Sequence, residues 1–227
     1  MHILIAPDSF KESLSAAQVA QALQTGFSQA LPDASFDLLP VGDGGEGTMA
    51  ALTAVLGWAE FHHTVTGPFG QLVKMPYARN SQQALFEMAD LVGLASIPKE
   101  KRNPLAIETK GLGELILRLA EDGVRKILVG IGGSASNDGG IGLAAGLGYE
   151  FFDADNHRLR PIGSSLEKVA RISAEQVPAY LEEVEIEILT DVDNPLCGVR
   201  GATTVFGGQK GLAPVSYTHL TLPTSDL

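Results

Sequence analysis

The sequence predicts an α/β fold with a parallel sheet, on three observations. Strand-like and helix-like apolar patterns alternate from the first residues onward. Four of the strand-like runs end in loops rich in glycine, aspartate and serine, and open α/β sheets bind ligands at such carboxyl ends. The chain has 227 residues, 44% of them hydrophobic, which suffices for one large domain or two small ones around a sizeable core.

Residues 2–6 (HILIA) form a short β-type run. Residues 15–30 carry Val19, Ala22, Leu23, Phe27 and Ala30 at helical spacing, with Ser13 or Ser15 as the cap. A second strand is expected over 36–40, a glycine-rich turn at DGGEGT and a second helix over 48–56. This βαβα opening predicts parallel pairing with helices packed on the sheet. At Thr66-Gly67-Pro68 the texture changes, and a domain boundary is expected there, dividing residues 1–65 from 66–214. Beyond it the patterns predict strands over 72–78 and 84–88, a helix over 113–122 and a strand over 126–129. A short helix over 141–147 and a strand over 185–189, ending on Asp191, complete the series.

Composition narrows the function. A formal net charge of -11 repels nucleic acid and anionic lipid, so neither is expected as a partner, and an anionic substrate requires a locally basic pocket. Cys197 is the only cysteine, which leaves no internal disulfide and agrees with the cytoplasm. No run reaches the roughly 20 apolar residues of a membrane span. The start, MHILIAPDSF, lacks a basic region and a cleavage site.

The chemistry concentrates in the four loops. PDSFKESLSA offers Asp8, Ser9 and Lys11, and DGGEGT sets Asp43 and Glu46 among Gly44, Gly45 and Gly47. GIGGSASNDGG presents Gly130, Gly132, Gly133, Ser134, Asn137, Asp138, Gly139 and Gly140, a run whose backbone N–H groups can approach an anion closely. TDVDNPL supplies Asp191, Asp193 and Asn194. Phosphoryl transfer needs this set: donors for phosphate, with Lys11 or Lys210 adding charge, carboxylates for Mg²⁺, and a carboxylate to orient the attacking hydroxyl. Taken singly, each loop is more often a tight turn than a site. Four of them after four strands favour a site.

Other chemistries find less support. There is no Walker segment, no H-E-x-x-H and no C-x-x-C. His62 and His63 would face opposite sides of a strand and cannot chelate one ion together. Ser134 and Ser136 lie in no nucleophile elbow. Gly130 to Ala135 does match G-x-G-x-x-[GA], so a dinucleotide-binding oxidoreductase is an alternative, as is a small-acid-binding domain without catalysis. Gly139 and Gly140, however, fall where the dinucleotide helix should begin.

The segments APDSFKESLSA, DGGEGT, RNPL (102–105), ETKGLGELI, GIGGSASNDGG, DVDNPL and FGGQKG together resemble the type-1 glycerate kinases, from Met1 to about Pro214. The resemblance implies an ATP- and Mg²⁺-dependent kinase that phosphorylates D-glycerate, usually to 2-phosphoglycerate. It also implies a discontinuous flavodoxin-like domain with a second α/β domain inserted in it, and the active site between them. The family's motif residues fall on Asp8, Ser9, Lys11, Asp43, Gly44, Gly45, Glu46, Gly133, Ser134, Asn137, Asp138, Asp191, Asn194, Gln209 and Lys210, with Gly132 beside them. Asp191, Asp43 and Lys11 are the expected catalytic residues, and Asp191 and Asp43 the expected Mg²⁺ ligands. Residues 215–227 (VSYTHLTLPTSDL) do not resemble the family and read as translated sequencing adapter, so the chain is expected to be a fragment lacking the later segment of its first domain.

Overall fold

A computed structural model describes residues 1–10, 13–196 and 198–212. Strand β1 (His2–Ile5) pairs in parallel with β2 (Ser35–Leu38), and helix α1 (Ala16–Ala30) connects them, as the opening pattern predicts. Ser15 is the cap: its Oγ accepts from Gln18 N (3.3 Å) while Gln18 Oε1 accepts from Ser15 N (2.9 Å), closing a capping box. The helix buries Ala16, Val19 and Ala20. Leu23 and Phe27, expected on its buried face, stay 41% exposed, and Leu4 of β1 is 58% exposed. A sheet of two strands with one helix has too little surface to cover them.

Helix α2 (Thr48–Leu56) packs on a different sheet. That sheet has five strands: β3 (Ala59–Thr66), β4 (Leu72–Arg79), β5 (Gln83–Glu87), β6 (Lys126–Gly130) and, after two short strands described below, β9 (Glu185–Leu189). The first three are antiparallel neighbours, whereas β5, β6 and β9 run parallel in that order. The turn at Thr66-Gly67-Pro68, expected to mark a domain boundary, is the hairpin turn between β3 and β4, which pair from Ala59↔Arg79 to Thr66↔Leu72. A boundary there would cut through a paired ladder. The change of sheet falls earlier, between β2 and β3.

The five-stranded sheet is covered on both faces. On one side lie α3 (Ala89–Val92) and α4 (Lys110–Glu121), whose Leu112, Leu115, Ile116 and Leu119 are fully buried against Phe86, Met75, Ile127 and Val129. Each such side chain contributes on the order of 2 kcal/mol. Helix α4 meets α5 (Ile141–Gly146) where Gly113 and Gly146 touch: a Cβ on Gly113 would lie 2.7 Å from Gly146 Cα. On the other face Met49, Leu52 and Trp58 pack on Ala78, Leu85 and Leu128. Strands β7 (Glu150–Phe152) and β8 (Arg171–Ser173) form a separate hairpin, and α6 (Ala202–Phe206) follows β9. The register aligns Glu87, Gly130 and Leu189 in one row, so β5, β6 and β9 end together on one edge of the sheet.

Candidate active site

That edge collects the glycine-rich loops. Gly44 and Gly45 lie directly on the loop after β6: Gly132 N donates to Gly44 O at 3.0 Å, and a Cβ on Gly132 would stand 2.6 Å from Gly45 Cα. Gly44, at φ 91°, also abuts β9, where a Cβ would fall 2.5 Å from Leu189 O. Backbone therefore meets backbone across segments far apart in sequence, and side chains are excluded at the contact. Asp43 Oδ1 accepts from Gly45 N at 2.8 Å, so the exposed carboxylate turns over its own loop. Glu46 is exposed beside it.

The loop after Gly133 is braced from below. Asp138 is 4% exposed, and its carboxylate accepts from Thr109 Oγ1 (2.6 Å), Gly140 N (3.1 Å) and Gly142 N (3.2 Å). With both oxygens so engaged, Asp138 organises the approach to α5 instead of offering a free carboxylate to a metal or hydroxyl. Asn137 N donates to Pro104 O at 3.0 Å, which seats the loop on the RNPL segment, and its side chain bonds Thr203 Oγ1 at 3.1 Å. Gly133 takes φ 70° and its carbonyl accepts from Leu94 N.

Lys210 reaches this loop from the far end of the chain. Its Nζ donates to Ser134 Oγ at 2.9 Å and to Ser136 O at 2.8 Å. Burial pushes its pKa down to about 8, against the opposing attraction of Asp138. An ammonium held inside a glycine-rich loop is the locally basic element that an anionic ligand requires in so acidic a chain. Gln209 beside it is exposed.

Carboxylates stand at both ends of this edge, Asp191 after β9 and Asp90 after β5. Asp191 is exposed two residues past the end of β9 and makes no hydrogen bond or ion pair among the described residues. Asn194 Nδ2 donates to Arg200 O at 2.9 Å, while Asp193, 93% exposed, only approaches Arg200. Asp90 is raised to about 7 by burial first and then by the charges of Glu87, Glu46 and Glu60. Its own surface is open to water, which weakens the desolvation contribution and leaves charge crowding as the firmer cause.

The first loop faces the second. Ser9, Phe10, Ser13, Leu14 and Ser15 line a cleft of about 330 Å³ with Glu46 and Gly47. Asp8 Oδ1 accepts from Ser9 N at 2.6 Å. Lys11 lies outside the described residues. Thus DGGEGT, GIGGSASNDGG and the end of β9 form one continuous surface, Lys210 joins it through Ser134, and the Ser9 segment borders it through Glu46 and Gly47.

The dinucleotide-binding alternative loses ground on this geometry. The chain after Gly133 runs irregularly to Gly140 before α5 begins, so no helix N-terminus stands at the G-x-G-x-x-A segment as dinucleotide binding requires. Among the described residues, the one group of three convergent metal-ligating side chains is Asp153, Asp155 and His157, beside the β7–β8 hairpin. Asp153 there accepts from the Asp155 and His157 amides, which is turn chemistry.

Sequence reasoning passes over Glu87, Thr109 and Thr203. Each is buried and polar, and each holds a loop in place. Glu87 accepts from Gly47 N (3.0 Å) and Met49 N (2.5 Å), and burial raises its pKa in spite of those bonds. The signal for it is an acid inside the apolar run ALFEM, where period two puts it on the face with Leu85.

Known proteins agree with the motifs. The sequence model of the Glycerate kinase family matches residues 3–223, running past Pro214, where the motif resemblance stops. A glycerate kinase from Neisseria meningitidis serogroup B is 56% identical over 212 residues, covering 93% of this chain and 57% of that protein. A glycerate 2-kinase from Escherichia coli K12 is 44% identical over 222 residues, covering 97% and 58%. A crystal structure assigned to glycerate kinase 2 from Salmonella typhimurium LT2 superposes with a TM-score of 0.81 at 43% identity, covering 97% of this chain and 60% of that one. The chain thus spans a little under three fifths of the relatives it matches, and it belongs to the glycerate kinase family.

Proposed function

We propose that the protein to which this segment belongs transfers the γ-phosphoryl group of ATP to a hydroxyl of D-glycerate, giving 2-phosphoglycerate. The observation that carries the reading is the presence of both charges on the joined glycine-rich loops. The half-buried ammonium of Lys210 rests on Ser134 Oγ and Ser136 O, and two carboxylates on the same run of loops keep free oxygens, Asp191 wholly among the described residues and Asp43 in part. A nucleotide with its cation needs both charges.

Lys210, with Lys11, holds phosphate oxygens or the glycerate carboxylate, and the glycine backbone at Gly44, Gly45, Gly132 and Gly133 lets the triphosphate approach without side-chain interference. Asp191 orients the attacking hydroxyl and accepts its proton as the new O–P bond forms and the bond to ADP breaks. Asp43 keeps one carboxylate oxygen clear of the Gly45 amide. Two carboxylate donors suit Mg²⁺, which takes oxygen ligands and retains water, so Asp43 and Asp191 are the residues that would hold it. When bound, the ion neutralises charge on the phosphates. Ser9, Asn137, Asn194 and Gln209 complete the binding surface.

The test is glycerate-dependent ADP release by the full-length protein, with ³¹P NMR to identify the product. Turnover giving 2-phosphoglycerate is expected. Glycerate binding without turnover would replace this reading with that of a non-catalytic binding domain, and NADH binding at the Gly130 loop would replace it with an oxidoreductase.

A further inference from the structure

Helix α2 begins without a cap of its own. Its N-cap position is Gly47, at φ 95°, which has no side chain to accept from the first-turn amides. Those amides are satisfied from another sheet element: Glu87, the last residue of β5, accepts from Gly47 N through Oε2 and from Met49 N through Oε1. Glu87 is 3% exposed, and among the described residues no cation pairs with it. A buried carboxylate without a counter-charge is costly, and its negative neighbours Asp43 and Glu46 add to that cost. A neutral side chain that merely filled the space would be cheaper, so the carboxylate itself calls for an explanation.

Its place supplies one. Glu87 sits in register with Gly130, and a Cβ on Gly130 would meet both Glu87 Cγ (3.4 Å) and Gly44 O (2.8 Å). The same side chain therefore touches the base of the β6 loop and pins the far end of the DGGEGT loop, whose near end Gly132 N holds through Gly44 O. Between these two fixings lie Gly45 and Glu46, with Asp43 just outside them.

We infer that Glu87 is a positioning residue for the phosphoryl-transfer site: by accepting two amides at the start of α2 it fixes where the Asp43–Glu46 loop stands against the Gly130–Gly133 loop. This rests on the kinase reading above for its consequence in turnover, but not for its structural content. Glutamine at this position keeps the shape yet aims an N–H₂ group at one of two N–H donors, so the loop must shift while the core survives. A displacement of about 1 Å costs on the order of 100-fold in rate.

The experiment pairs kinetics with amide hydrogen exchange in the full-length protein. In Glu87→Gln, kcat should fall about 10- to 100-fold with the KM for ATP changed less than about threefold, and exchange over residues 44–49 should rise about tenfold or more while α4 remains protected. Glu87→Asp, which keeps the charge, should recover some of the lost kcat. Unchanged kcat in Glu87→Gln, or a loss that disappears on cooling to where the variant is fully folded, would overturn the inference. If Glu87→Gln does not fold, the wild-type protein decides: the Gly47 and Met49 amides must exchange far more slowly than the neighbouring Glu46 amide, and equal rates would refute the anchoring. A wild-type protein with no glycerate-dependent turnover overturns the kinase reading alone, because the exchange pattern stands apart from it.

Discussion

Raising the pH should remove the positive charge of the Ser134 loop long before an ordinary lysine would lose its proton. Lys210 is held by Ser134 Oγ and Ser136 O, and burial lowers its pKa from 10.5 to about 8. At that value the ammonium is about 90% protonated at pH 7 and about 10% at pH 9, whereas an unperturbed lysine is still about 95% charged. A nucleotide that relies on this charge should bind about tenfold more weakly at pH 9 than at pH 7, and kcat/KM should fall in parallel because it reports the free protein. The stability contribution has the opposite sign. The folded chain binds fewer protons than the unfolded chain between about pH 8 and 10.5, so this group favours the fold more as pH rises through that window. The assay is calorimetric titration of ATP from about pH 6.5 to 9.5 at fixed ionic strength, with Lys210→Arg in parallel, since arginine stays charged throughout. Wild type should show an inflection near 8 that the arginine variant lacks. Flat wild-type affinity to about pH 9.5, or the same inflection in Lys210→Arg, would refute the reasoning.

Three further outcomes are expected. Gly132→Ala should push the two glycine loops apart, because the new methyl would lie 2.6 Å from Gly45 Cα; a loss of about 1–3 kcal/mol in denaturant unfolding and a steep fall in turnover are expected, and wild-type behaviour would count against the contact. Asp138→Asn leaves one of three donors facing an amide N–H₂ in a buried site, at about 3 kcal/mol, or on the order of 10 °C in Tm by scanning calorimetry. Asp191→Asn alters an exposed group, so Tm should move by less than about 2 °C while kcat drops about 100-fold or more; an active Asp191→Asn would transfer the orienting role to Asp43.

Much of this architecture is legible in the chain because its elements are bounded by strong signals. Helix α2 stands between Gly47 and Gly57, both left-handed, and its limits match the sequence pattern residue for residue, as do those of β9. Strand β3 is not legible. It is an edge strand, mostly exposed, and the apolar alternation of AEFHHTVT (Ala59, Phe61, Val65) is broken at His63, so its hairpin turn passes for a domain boundary. The glycine loops announce the site, but their contacts cannot be read, since each partner lies in a different segment. Asp138 illustrates the limit: an acid in a glycine-rich loop suggests a ligand, and only the positions of Thr109 and Gly142 show it turned inward.

Gly130 and Gly132 do not have the left-handed backbone that usually explains a glycine; they are excluded from growth by Gly44 and Gly45. Two walls that touch through bare backbone leave no side chain to rotate and no cushion to compress. They must translate together, along with the ends of β6 and β9, as one stiff block. Any rearrangement around this surface is therefore expected to leave the block's own shape intact, the floor shifting as one piece or not at all.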